Sequence, residues 1–150
     1  MGSTSTYASK EPVTPTLVSM ITGEIITVFI GPSKKRYLIH KDLICHHSEY
    51  FHTAYEGQKG LWENPDQSVT LEDVNVDVFN LFVHWLYTQD IPCKTYAEIC
   101  YVMGWNSSDQ TDFKSVLLKA RAFGHRFLAL SFRRIVHDIY VEGCKIKAIE

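Results

Sequence analysis

Seven histidines and four cysteines in 150 residues are the side chains of this chain best suited to hold a metal ion or move a proton. Cys45, His46 and His47 are consecutive, and His40 stands two residues ahead of Asp42. A thiolate and imidazole cluster suits zinc, and an imidazole beside a carboxylate suits general base work. Spacing argues against both. Consecutive residues of a helix project about 100° apart, so Cys45, His46 and His47 cannot converge on one ion without ligands from elsewhere. Neither a C-x-x-C nor an H-E-x-x-H supplies them. A G-x-S-x-G elbow, a glycine-rich phosphate loop and a dinucleotide fingerprint are also missing. No catalytic residue, metal ligand or cofactor site is therefore assigned. His40 reads instead as a hydrogen-bonded core histidine, and Asp42 as a first-turn residue drawn to the positive end of a helix.

The remaining composition bounds the setting. Cys45, Cys93, Cys100 and Cys144 form no C-x-x-C pair, and no secretory leader is visible, so reduced thiols in the cytosol or nucleus are expected. Net charge is -2 but unevenly spread: residues 113–150 hold 8 Lys/Arg against 3 Asp/Glu, whereas residues 1–112 hold 7 against 14. Lys114, Lys119, Arg121, Arg126, Arg133 and Arg134 fill positions between apolar ones, as a solvated helix face does. A nucleic-acid-associated regulator gripping phosphates with these basic helices is the alternative reading. No apolar run approaches the roughly 18 to 20 residues of a membrane span.

These residues need elements to position them. Met1 to about Thr16 is rich in Ser, Thr and Pro, with Tyr7 its only large side chain, so it cannot offset the entropy of ordering. Gly2 and Thr6 satisfy the bare myristoylation pattern, a cheap match in such a tail, and lipidation is not expected. Leu17 to Ile21 reads as either a helical turn or an edge strand. The folded unit is placed at 21–143, after a disordered tail (1–20) and before a short extension (144–150). Ile25–Ile30, the turn Gly31-Pro32-Ser33-Lys34 and Tyr37–His40 predict a hairpin, with Leu38 and His40 sharing its core face. One helix is expected from Lys41 to Tyr55, burying Leu43, Ile44, His47 and Phe51, and ending at Gly57. A loop, 57–67, then a short strand with Val69 and Leu71, lead to a helix capped by Asn75. Its stripe is Phe79, Phe82, Val83 and Leu86, widened by Trp85 and Tyr87. Thr95–Met103 reads as a short helix with Tyr96, Ile99, Cys100 and Met103 on one side. Two amphipathic helices follow, the first ending at Gly124 and the second carrying Leu128, Phe132, Ile135, Val136 and Ile139 until Gly143. Joined by so few residues, they should pack antiparallel.

His40-Lys41-Asp42-Leu43, then Ser48, Tyr50 and Phe51, preceded by the strand Ile26–Gly31, resemble the opening of the BTB/POZ domain, a protein-interaction module, in the compact form common in fungal sequences. A second match lies at Val78–Thr88, and the likeness extends over about residues 24–142. The resemblance implies an α+β fold, a helical cluster flanked by a small, mostly three-stranded sheet. His40, Asp42, Leu43, Ser48, Phe51, Phe79, Phe82 and Leu86 would be its structural motif positions. It also implies protein partners, a homodimer and, in some members, docking on the cullin scaffold of ubiquitin ligases through a hydrophobic-x-Glu loop. Leu61-Trp62-Glu63 matches that loop, with Leu61 filling an apolar pocket and Glu63 pairing polar groups; otherwise this is a surface loop with Trp62 folded back. Transcription-factor members resemble this chain but carry an Asp in the first strand and a basic residue after the strand-two His. Here those positions look like Ile25 and Lys41, so a corepressor groove is not expected, Lys41 lacking the buried counter-charge that would fix it. With the sequence ending at Glu150, no repeat domain or zinc finger is expected, and a client would bind this domain or its tail.

Overall fold

The computed structural model describes residues 16–56, 68–92, 95–105 and 112–143. Its sheet has the order β2-β1-β3: β1 (Ile25–Ile30) pairs antiparallel with β2 (Lys35–His40) and parallel with β3 (Ser68–Leu71). The hairpin closes through a backbone bond from Lys34 N–H to the Gly31 carbonyl, with φ of 81° at Gly31 and 57° at Lys34. Ile26, Val28 and Ile30 of β1, Ile39 of β2 and Leu71 of β3 are buried on one face. Leu38 is exposed and His40 only half-buried, contrary to the expectation that they face the core. Tyr37, Leu38 and Ile39 are all apolar, so alternation within β2 does not reveal its phase. The register Ile26↔Ile39 does, because cross-strand partners share a face.

Leu17–Thr22 (α1) is the helical alternative realised, and Thr16 caps it by accepting the Ser19 N–H at 3.0 Å. Four of its residues therefore lie within the stretch assigned to the tail. The single helix expected over 41–55 is instead two, α2 (Lys41–His47) and α3 (Glu49–Glu56), broken at Ser48 with φ -134° and ψ 113°. Ser48 is fully buried: its hydroxyl donates to the Phe127 carbonyl at 2.7 Å and accepts the Phe51 N–H at 3.2 Å. Serine competes for backbone groups in this way, which is why it favours helix starts over helix interiors.

Helix α4 (Val76–Thr88) begins as expected at Asn75, whose side chain accepts the Val78 N–H at 3.2 Å. It buries Trp85 as expected and adds Val78 and Leu81, while Val83 is only partly buried and Tyr87 stays exposed. Helix α5 (Tyr96–Met103) buries Ile99, Cys100 and Met103 but leaves Tyr96 exposed, and ends at Gly104 in the left-handed region, φ 74°. Gly124 does not end α6 (Phe113–Arg126); it lies inside it, where an added Cβ would stand 2.8 Å from Arg133 Cβ and 3.0 Å from its Cα. A residue with no side chain is what lets α6 and α7 (Leu130–Glu142) approach so closely. Leu128, expected in the core, is an exposed linker residue with φ 53°, and Phe127 and Ala129 on either side of it are buried instead. Phe82 unites the helices: its ring centroid lies 4.8 Å from that of Phe123 in α6 and 5.1 Å from that of Phe132 in α7.

Candidate interaction surface

Strand β2 is an edge of the sheet, and its hydrogen-bond phase can be assigned. The Lys41 N–H donates to the Glu24 carbonyl at 2.8 Å. In an antiparallel ladder bonded pairs alternate, so Ile39, Tyr37 and Lys35 turn their main-chain groups to β1, and His40, Leu38 and Arg36 turn theirs away from it. His40 confirms the phase, since its N–H donates to the Tyr87 hydroxyl of α4 at 3.0 Å. The same hydroxyl stands 3.0 Å from His40 Nδ1. His40 is thus hydrogen-bonded as expected, at the rim of the edge rather than in the core.

About two turns back along α4, the Tyr37 hydroxyl donates to Asn80 Oδ1. Burial, aided by the Asp77 carboxylate, pushes the Tyr37 phenol up to about 12. That carboxylate in turn accepts the Trp105 indole N–H at 3.0 Å, and the Lys35 ammonium lies 5.5 Å from the Tyr37 ring centroid. Between β2, α4 and α5 these residues leave a shallow cleft of about 320 Å³, lined by Lys35, Tyr37, Asn80, Val83, His84 and Met103.

Of the residues singled out for chemistry, His46 and His47 meet only as rings, 4.7 Å apart between centroids, and His47 leans on Trp85 at 4.9 Å. Burial, with His46 beside it, holds the His47 imidazole down at about 4, so it stays neutral at ordinary pH. The Cys45 thiol points to the Phe51 carbonyl at 3.5 Å. Among the described residues no three His, Cys, Asp or Glu side chains gather as a metal site. No described helix is long and apolar enough to cross a membrane. Lys41 pairs with Glu24 at 3.0 Å, one residue before Ile25; Glu24 is exposed, so this is not the buried counter-charge of the transcription-factor pocket. Two of the six basic residues of the carboxyl-terminal helices are engaged within the domain, Arg126 with Asp73 at 3.0 Å and Lys114 over Tyr140 at 6.0 Å. Leu61, Trp62 and Glu63 lie outside the described residues.

A three-stranded β2-β1-β3 sheet, a short α1 against α2, a paired α2 and α3 broken at a buried serine, and a closing α6/α7 hairpin are the features to be matched. The sequence profile of the BTB/POZ domain matches residues 19–129, most of the chain. This chain belongs to the BTB/POZ domain family. Its α+β architecture is that of the family, and the domain is a protein-interaction module. A human relative, Kelch repeat and BTB domain-containing protein 6, is 25% identical over 147 residues, an alignment covering 81% of this chain and 22% of that protein. The chain thus spans about a fifth of that relative's length. Within this BTB/POZ domain, Leu43, Ser48, Phe51, Phe79, Phe82 and Leu86 are buried, whereas His40 and Asp42 stand at or near the surface. Sequence reasoning missed Tyr87 and Asn80 as partners of β2. Each is more than forty positions from its strand partner, and neither residue type signals the contact.

Proposed function

We propose that this BTB/POZ domain acts by pairing with a second copy of itself, and that it carries no chemistry of its own. The observation behind this reading is apolar side chains turned to solvent on α1 and the outer sheet face: Leu17 is 68% and Val18 69% exposed, Ile25 52% and Leu38 55%. A six-residue helix draws its stability from packing rather than from propensity, and a second copy offers the missing half. A stable pair should bury at least about 1,000 Å². Light scattering of the full chain at micromolar concentration should give a dimer mass, and Leu17→Asp with Val18→Asp should return it to monomer. A monomer mass for the parent throughout removes the proposal. Reduced thiols fit work in the cytosol or nucleus.

A second role, adaptor to a cullin scaffold, is supported by the Leu61-x-Glu63 pattern within a BTB/POZ domain. Recovery of the purified scaffold by the tagged chain should weaken for Leu61→Ala and for Glu63→Ala. Equal recovery by parent and both variants would eliminate it.

A further inference from the structure

The edge of β2 and the cleft beside it adjoin the self-pairing face at Leu38 and otherwise lie apart from it. Arg36 and Leu38 each turn one N–H and one C=O away from β1, and among the described residues no hydrogen bond meets these groups. Tyr87 closes the row only at His40. An open edge is a template for another strand. Such an edge can also be guarded by charge alone, and Lys34, Lys35 and Arg36 stand in a row here. None of the three forms a salt bridge among the described residues. The cleft argues for more than a guarded edge. A strand laid beside Arg36–Leu38 would place alternate side chains on either face of the sheet. One set would fall beside exposed Leu38; the other would fall toward Tyr37, Asn80 and His84, with Val83 and Met103 as an apolar floor. Main-chain pairing for affinity and adjacent pockets for alternate side chains are the two components of strand addition.

From this we infer that the β2 edge binds an extended, acidic peptide segment of another protein as a fourth strand. Charge selects this occupant. A second copy would bring its own Lys34, Lys35 and Arg36 to the same edge, and like charges across a strand pair repel. Acidic residues on the outer face of the added strand meet Arg36 and the neighbouring Lys34, while its apolar residues on the other face meet the cleft, which Lys35 borders. The inference rests on the interaction-module reading but not on self-association.

The test is titration of the isotope-labelled full chain with a capped peptide of about six residues alternating glutamate and valine. Its lysine-for-glutamate counterpart and higher salt serve as controls. The acidic peptide should shift the Arg36 and Leu38 amide resonances and slow their hydrogen exchange; the lysine peptide should not, and salt should weaken the effect. Leu38→Pro removes a donor that faces away from β1, so the hairpin is kept while affinity falls about tenfold. Should that variant fail to fold, the peptide carries the test instead. N-methylation at its even residues and, separately, at its odd residues should leave one form binding and the other not, because a strand bonds a neighbour through alternate residues only. Shifts that avoid Arg36 and Leu38, equal binding of both charge types, or equal binding of both methylated forms would overturn the inference. Light scattering on the same samples keeps a failure of pairing apart from a failure of peptide binding.

Discussion

Ser48 illustrates how much one small side chain can decide. It is the single buried polar residue among those described, and its hydroxyl serves both as acceptor for the start of α3 and as donor to the end of α6. Replacing it with alanine leaves the Phe51 N–H and the Phe127 carbonyl without their partner in a dry site. Such a loss costs about 1–3 kcal/mol, and urea unfolding of Ser48→Ala should show it as a lower midpoint at unchanged slope. His47 makes a prediction in pH. Its imidazole titrates at about 4 in the folded state and near 6.5 when unfolded. Between those values the unfolded chain takes up a proton that the folded chain refuses, so this contribution to stability is complete above about 6.5 and lost as pH falls toward 4. Carboxylates titrate over part of the same window, so the comparison is differential. The melting temperature of His47→Gln should drop less between pH 7 and pH 4.5 than that of the parent, and parallel curves would assign the acid sensitivity elsewhere.

At the scale of elements, two effects compete at Gly124. Alanine is the better helix former by about 1 kcal/mol. Against that, its Cβ would meet the Arg133 backbone at 3.0 Å from Cα and 3.2 Å from N. Backbone on a packed helix cannot swing aside as a side-chain tip can, and overpacking of this kind costs about 1–3 kcal/mol. Gly124→Ala should therefore destabilise the domain, and a higher denaturation midpoint would mean that α6 and α7 separate more easily than their packing suggests. The turn between them is also under conformational load, since Leu128 holds φ 53° while its carbonyl accepts the Glu49 N–H at 3.2 Å. Glycine tolerates that backbone without the crowding of a Cβ. Leu128→Gly gives up a largely exposed side chain, so it should be neutral or stabilising by up to about 1 kcal/mol, read by the same unfolding assay.

For the whole molecule, Phe82 connects α4 to both closing helices, and its truncation should be felt everywhere. Emptying a buried phenylalanine costs about 3–5 kcal/mol against a total stability of roughly 5–15. Phe82→Ala should lower the melting temperature by many degrees and unfold sheet and helices together. A variant melting within a degree or two of the parent would show that the aromatic cluster does not carry the fold.

The sequence determined the elements themselves. The positions of Phe79, Phe82 and Leu86 on a helix, the hairpin turn at Gly31-Pro32 and the capping of α4 by Asn75 follow from periods and side-chain chemistry spanning a few residues. The family likeness instead rested on His40-Lys41-Asp42-Leu43, Ser48, Tyr50 and Phe51 and on Val78–Thr88, and the chain does belong to the BTB/POZ domain family. Tertiary structure decided what those periods leave degenerate: which of Leu38 and Ile39 enters the core, that the stripe from Leu43 to Phe51 breaks at Ser48, and that Gly124 continues a helix. It also decided that β2 keeps an open edge beside a cleft. The reason is separation. Ser48 meets Phe127 across 79 positions, Tyr37 meets Asn80 across 43 and His40 meets Tyr87 across 47. Contacts at that range arise only when whole elements are packed together, and no local pattern encodes them.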